Sequence, residues 1–481
     1  MRTAPASYFT LGRSGLRVSR LALGTMTFGT DWGWGADKSA ARAIFDAYVE
    51  SGGNLFDSAD LYVGGTAESW LGEFIAERKL RDKAVIATKF SFNAELGNPN
   101  AGGNGCKAML RAVEGSLGRL GTDYIDLYLL HSFDRVTPAE EVMRGFDDLV
   151  RSGKVRHVGL SNTPSWYASR AQTLAEWRGY EPLSALQLEY SLVERHIEDE
   201  FVPLGVEHGI GIMVWSPLAS GLLSGKYRAT AAGGEGEGRL ATMAGTDNPA
   251  FRKFTPRNFA ILTALEAVAK ETGRSMAQIA LNWVANRPGV ASVIIGATRL
   301  AQLQDTLCAL DFTLDAELTQ RLDAASDREP SYPYTFCDGP WRRRGRRQAL
   351  RLPAEACGHE RCGEPADRAG RSLMLPRRRY ETRSAPAREA IGKQPILLGI
   401  PVTRQDGFDE PSRSGGCGMH ADRAHSAMDE EPLYRGASGN RHPVGEHRSV
   451  PRIDILHAQR AEAGNHAQST RGDAARHIRV A

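Results

Sequence analysis

The stretch NLFDSADLYVGGTAESWLGEFIAE, residues 54–77, reads as a single strand–loop–helix unit. Residues 54–56 form a short apolar strand, Ser58 and Asp60 supply turn-forming side chains, and residues 68–77 carry helical periodicity. Asp57 and Tyr62 therefore lie on a strand-to-helix loop. A buried carboxylate there is costly unless a cation pairs with it, so the chain should supply a Lys or Arg.

The same rhythm extends in both directions. Residues 8–11 and 16–18, around Gly12 and Gly15, read as a hairpin, followed by a strand at 21–24 and a helix at 39–51. Further strands are expected at 84–89, 125–131, 155–161, 185–190, 211–215 and 291–295. Helices are expected at 107–120, 139–152, 165–177, 197–208, 259–272, 276–286, 300–310 and 315–325. Eight strands, each followed by helix, predict an α/β fold of the (β/α)8 TIM barrel type. A doubly wound sheet fits less well, because LALGTMTFG after the first strand lacks the GxGxxG spacing.

The formal charge of +3 conceals two compositions. Residues 337–481 contain 25 Arg and one Lys against 18 acidic residues, a balance of +8, which leaves −5 on residues 1–336. The tail lacks periodicity and is expected to be disordered or an out-of-frame product. Its Cys357, His359 and Cys362 match no zinc spacing, and its RRRGRR run gives no specific reason to expect nucleic acid. The six Cys include no CxxC pair, and no stretch reaches the roughly 20 apolar residues of a membrane span. A cytoplasmic protein with no resident metal is expected.

In a barrel, chemistry gathers at the C-terminal strand ends. There the sequence places Asp57, Lys89 and His131, with Tyr62 just beyond Asp57. A phenol with a pKa of about 10 needs help to give up a proton near neutrality, and a neighbouring ammonium provides it. Lys89 is the expected ammonium and Asp57 its partner, while His131 can hydrogen-bond a carbonyl. This is half of a carbonyl reduction. The hydride must come from a cofactor.

These four residues, with LALGTMTFG, GLSN at 159–162, QLEYS at 187–191, WSPLASGLLSGKY at 215–227 and IIGAT at 294–298, resemble the aldo-keto reductase superfamily over residues 8–336. The resemblance implies a hairpin-closed barrel that binds NADPH, with Tyr62 as proton donor and His131 orienting the substrate. It implies that Gly24, Thr25 and Met26 line the cofactor and that Ser161, Asn162 and Gln187 hold its carboxamide while Trp215 stacks on the ring. Ser216, Pro217, Leu218, Ser220, Lys226 and Arg228 would cover the pyrophosphate. Gly296, Ala297, Thr298 and Gln302 would meet the adenosine phosphate, with Asp305 and Thr306 where the family has a Glu-Asn pair. NADH is the alternative cofactor. The implied substrate is a small aldehyde or ketone, and Trp32, Trp34 and Phe133 near the mouth suit an apolar one. The sequence also resembles the barrel subunits of voltage-gated potassium channels, which makes a cofactor-binding regulatory subunit the second expectation. The glycine-rich stretch AAGGEGEG, residues 231–238, is expected to be flexible.

Overall fold

The computed structural model describes residues 8–337 except 94, 96, 231–232 and 244–250, so the Arg-rich tail lies outside the described residues. Strands β1 (Tyr8–Thr10) and β2 (Arg17–Ser19) form the hairpin. Eight parallel strands then close a barrel: β3 (Leu21–Gly24), β4 (Leu55–Asp57), β5 (Val85–Phe90), β6 (Ile125–Leu130), β7 (Val155–Ser161), β8 (Leu183–Glu189), β9 (Gly211–Trp215) and β12 (Val290–Ile295). β12 pairs with both β3 and β9 and so leaves no free edge.

Alternation along each strand sorts the side chains into two cores. Ala22, Leu55, Val85, Ala87, Leu127, Leu129, Ala185 and Met213 fill the barrel interior, and Leu11 and Val18 of the hairpin plug its base. Leu21, Leu23, Phe56, Ile86, Tyr128 and Leu130 face outward to the helices. The helices start where the sequence supplies caps. The Asp37 carboxylate accepts from the Ala40 amide to open α1 (Lys38–Glu50), which buries Ala41, Ile44, Phe45 and Tyr48. The outer layer continues with α2 (Thr66–Glu77), α3 (Cys106–Leu120), α4 (Ala139–Arg151), α5 (Ser165–Arg178) and α6 (Ile197–His208).

The glycine-rich stretch contributes to a hairpin of β10 (Tyr227–Thr230) and β11 (Gly233–Gly236), followed by α7 (Arg239–Met243). Its glycines permit close approach rather than only looseness: a Cβ on Gly234 would sit 2.7 Å from the Phe254 ring. The chain returns to the barrel at Lys253, whose ammonium donates to the Glu189 carboxylate at 2.9 Å. Helices α8 (Pro256–Thr272), α9 (Met276–Ala285), α10 (Leu300–Leu307) and α11 (Ala316–Ala325) complete the layer. Among the described residues no helix is long and apolar enough to cross a membrane.

Candidate active site

Strand parity assembles the site. Asp57 follows inward Leu55, Lys89 follows inward Ala87, and His131 follows inward Leu129, so all three point to the barrel axis at the C-terminal end. Lys89 is fully buried and spends its three hydrogens on Ser58 O at 2.6 Å, Asp57 Oδ2 at 2.8 Å and the Tyr62 phenol oxygen at 3.1 Å. The Lys89 ammonium is the cation that the buried Asp57 requires. Tyr62 is turned inward by an unusual run: Val63, Gly64 and Gly65 all have φ between 51° and 94°. The His131 ring packs edge-on to Tyr62 at 5.9 Å and to Phe92 at 5.0 Å. Its buried Nδ1 has no hydrogen-bond partner among the described residues.

Burial drives the electrostatics. It raises the Tyr62 phenol above its ordinary value, while Lys89 pulls the other way without cancelling it. Lys89 is the opposing charge expected from the sequence, but burial is the dominant effect. Burial also works against the Lys89 charge, yet Asp57 and Tyr62 outweigh it and hold the ammonium above its usual range. His131 is pushed well below the usual imidazole value by burial and then by Lys89, so the ring is neutral at physiological pH.

Of the residues expected around a cofactor, most lie at the C-terminal ends of barrel strands or in the loops that follow them. Gly24 allows β12 to approach closely, since a Cβ there would lie 2.8 Å from Ile294 Cγ2, and Thr25 Oγ1 donates to Asp57 O. Asn162 Nδ2 donates to His131 O at 2.9 Å and to Ser161 Oγ at 3.0 Å, and Trp215 Nε1 donates to Asn162 Oδ1 at 3.2 Å. Met26 and Trp215 are half-buried beside buried neighbours. After β9, Ser216, Ala219, Ser220 and Gly221 all have positive φ, and Ser220 N donates to Ser216 Oγ. Pro217 is buried and Leu218 half-buried within that turn. Gln302 Oε1 accepts from Thr298 N, beside Gly296 and buried Ala297. Asp305 and Thr306 are engaged in packing: Asp305 accepts from Ser275 and Gln278, and the Thr306 hydroxyl donates to Leu303 O. Arg228 is exposed on β10, opposite Glu235.

Two features were not legible locally. Gln187 Nε2 donates to Asp57 Oδ1 at 2.7 Å, a contact across 130 positions. Arg239, an isolated arginine after a glycine run, lies over the Trp34 ring at 4.0 Å, and its charge reaches both Tyr62 and Lys226. Partial desolvation and the charges of Arg239 and Arg299 hold Lys226 below its usual range. No carboxylate pairs with Lys226 or Arg239 among the described residues. Lys226, with the charges of Arg239 and Arg299 acting on it beside a turn of left-handed residues, gives this edge of the site the chemistry of an anion-binding surface.

Fold and site together define a (β/α)8-barrel protein with acid–base groups gathered at its C-terminal mouth. The Aldo/keto reductase family model matches residues 20–327, and the chain belongs to that family of oxidoreductases. It is 38% identical over 326 residues to Uncharacterized oxidoreductase YrpG of Bacillus subtilis, covering 66% of this chain and 94% of the relative. It is 35% identical to a Probable voltage-gated potassium channel subunit beta of Oryza sativa subsp. japonica, covering 67% and 97%. It is 33% identical to Aryl-alcohol dehydrogenase [NADP(+)] of Phanerodontia chrysosporium, covering 68% and 87%.

Proposed function

We propose that the protein catalyses NADPH-dependent reduction of aldehydes or ketones to alcohols, with Tyr62 as proton donor. The observation that carries this reading is the 3.1 Å hydrogen bond from Lys89 to the Tyr62 oxygen. Because that oxygen accepts from Lys89, the phenol hydrogen is free to point at a substrate oxygen. Neutral His131, with its proton on Nε2, donates to the same oxygen and orients it. As negative charge develops there, Tyr62 transfers its proton, and the adjacent Lys89 ammonium steadies the phenolate left behind. Asp57 and Gln187 keep that ammonium in place. The bound cofactor supplies the hydride.

Trp32 packs edge-on against Tyr62 at 6.5 Å and lies tilted against Trp34 at 5.5 Å, and Phe133 contacts Trp166 at 5.8 Å. This aromatic rim supports an apolar, aryl-bearing carbonyl, in keeping with the name of the Phanerodontia relative. The Lys226, Arg239 and Arg299 cluster supports NADPH over NADH, which comparison of the two Michaelis constants tests. The decisive experiment is NADPH-driven reduction of 4-nitrobenzaldehyde. Turnover lost in Tyr62→Phe with cofactor binding retained supports the reading, and unchanged turnover overturns it. A second reading, a cofactor-binding regulatory subunit, is supported by the likeness to the rice protein. Tight cofactor binding without turnover on a broad carbonyl panel would favour it. The enzyme reading further proposes a cytoplasmic protein whose barrel, residues 1–336, works without the tail; truncation after Phe336 tests this by retained activity.

A further inference from the structure

Behind the four site residues, on the outward face of the sheet, lies a second polar cluster. Thr88, next to Lys89 but of opposite parity, donates to Glu68 Oε1 at 2.6 Å, and Arg119 Nε donates to Glu68 Oε2 at 2.7 Å. Glu68 is fully buried. The Arg119 stem crosses the end of the turn that carries Tyr62 so tightly that a Cβ on Gly65 would lie 2.6 Å from Arg119 Cδ. Asp60 sits between Asp57 and Tyr62. Its amide donates to Lys89 O at 3.1 Å, and its buried Oδ1 has no partner among the described residues. The charged and titratable groups facing Asp60 are Glu68 of α2, Arg119 of α3, Lys89 of β5 and Tyr128 of β6.

We propose that Asp60, Glu68 and Arg119 are positioning residues for proton transfer by Tyr62. While Asp60 is neutral, Arg119 belongs to Glu68 and clamps the Tyr62–Gly65 turn; once Asp60 ionises, two carboxylates compete for one guanidinium and the clamp loosens. The inference rests on the reading of Tyr62 as proton donor. Burial first, and then the Glu68 charge, push the Asp60 carboxyl up to about 7, so the exchange falls in the neutral range. Tyr62 and His131 titrate far from it, above and below their ordinary values respectively.

The test is the pH profile of kcat for NADPH-driven reduction of 4-nitrobenzaldehyde by the full chain. The wild type loses activity above about pH 7, whereas Asp60→Asn holds its low-pH plateau within roughly a factor of two to about pH 9, with unchanged NADPH affinity. An Asp60→Asn profile that follows the wild type, or a folded variant inactive at every pH, overturns the inference. Should the variant not fold, infrared titration of the wild type decides. A protonated-carboxyl band with its midpoint near 7 supports the proposal, and no such band overturns it. If Tyr62→Phe retains turnover, the reaction reading falls; if it is inactive while Asp60→Asn behaves as wild type, only this inference falls.

Discussion

Gln187 donates to Asp57 from the far side of the barrel, at 2.7 Å, while Lys89 takes the other carboxylate oxygen at 2.8 Å. Asp57 is thus held from two strands that its own neighbourhood in sequence does not include. Gln187→Leu keeps the volume but removes the donor from a buried carboxylate. It should cost about 1–3 kcal/mol in denaturant unfolding and lower kcat, because Asp57 no longer fixes Lys89 as firmly.

Lys89→Met leaves Asp57 buried without its cation. A stability loss of about 3–5 kcal/mol is expected, together with loss of turnover by at least about tenfold. Thermal unfolding and steady-state kinetics at one pH check both. A variant of wild-type stability would show that the pair contributes nothing net.

His131 should remain neutral across the working range. Ring NMR from about pH 5.5 to 8 is expected to show no titration of this residue, in contrast to a free imidazole near 6.5. The direction follows from burial and the Lys89 charge.

Asp60 makes stability depend on pH with a definite sign. Its folded carboxyl titrates near 7, above the roughly 3.9 of an unfolded aspartate, so its contribution is complete below about pH 4 and is lost as pH rises through 7. The loss is on the order of 2–4 kcal/mol, and Asp60→Asn should flatten it in urea unfolding at pH 5 and 8, both taken as approximate end points.

Gly24→Ala places a methyl 2.8 Å from Ile294 Cγ2 and should cost about 1–3 kcal/mol. Adding Ile294→Ala should recover part of that loss in a double-mutant cycle.

The barrel was legible because its strands are short apolar runs closed by glycine or polar residues, and its helices carry apolar residues at helical spacing, as Ile44, Phe45 and Tyr48 do. The convergence of Asp57, Lys89 and His131 followed from position at strand ends. What was hidden depends on tertiary distance. The β10–β11 hairpin gains its order from Phe254 and Tyr227 rather than from its own glycines, and Arg239 acquires meaning only through Trp34 and Lys226. The balance of effects on Tyr62 was equally hidden, since sequence names the neighbouring charge but not the depth of burial.

The excursion that begins at buried Tyr227 and rejoins the barrel at buried Lys253 has a modular consequence. Both junctions are pinned, one by aromatic packing on Phe254 and the other by the ion pair with Glu189. A change of length within the insert that spares Arg239 is therefore absorbed between the two junctions and is not passed on to the strand registers of the barrel.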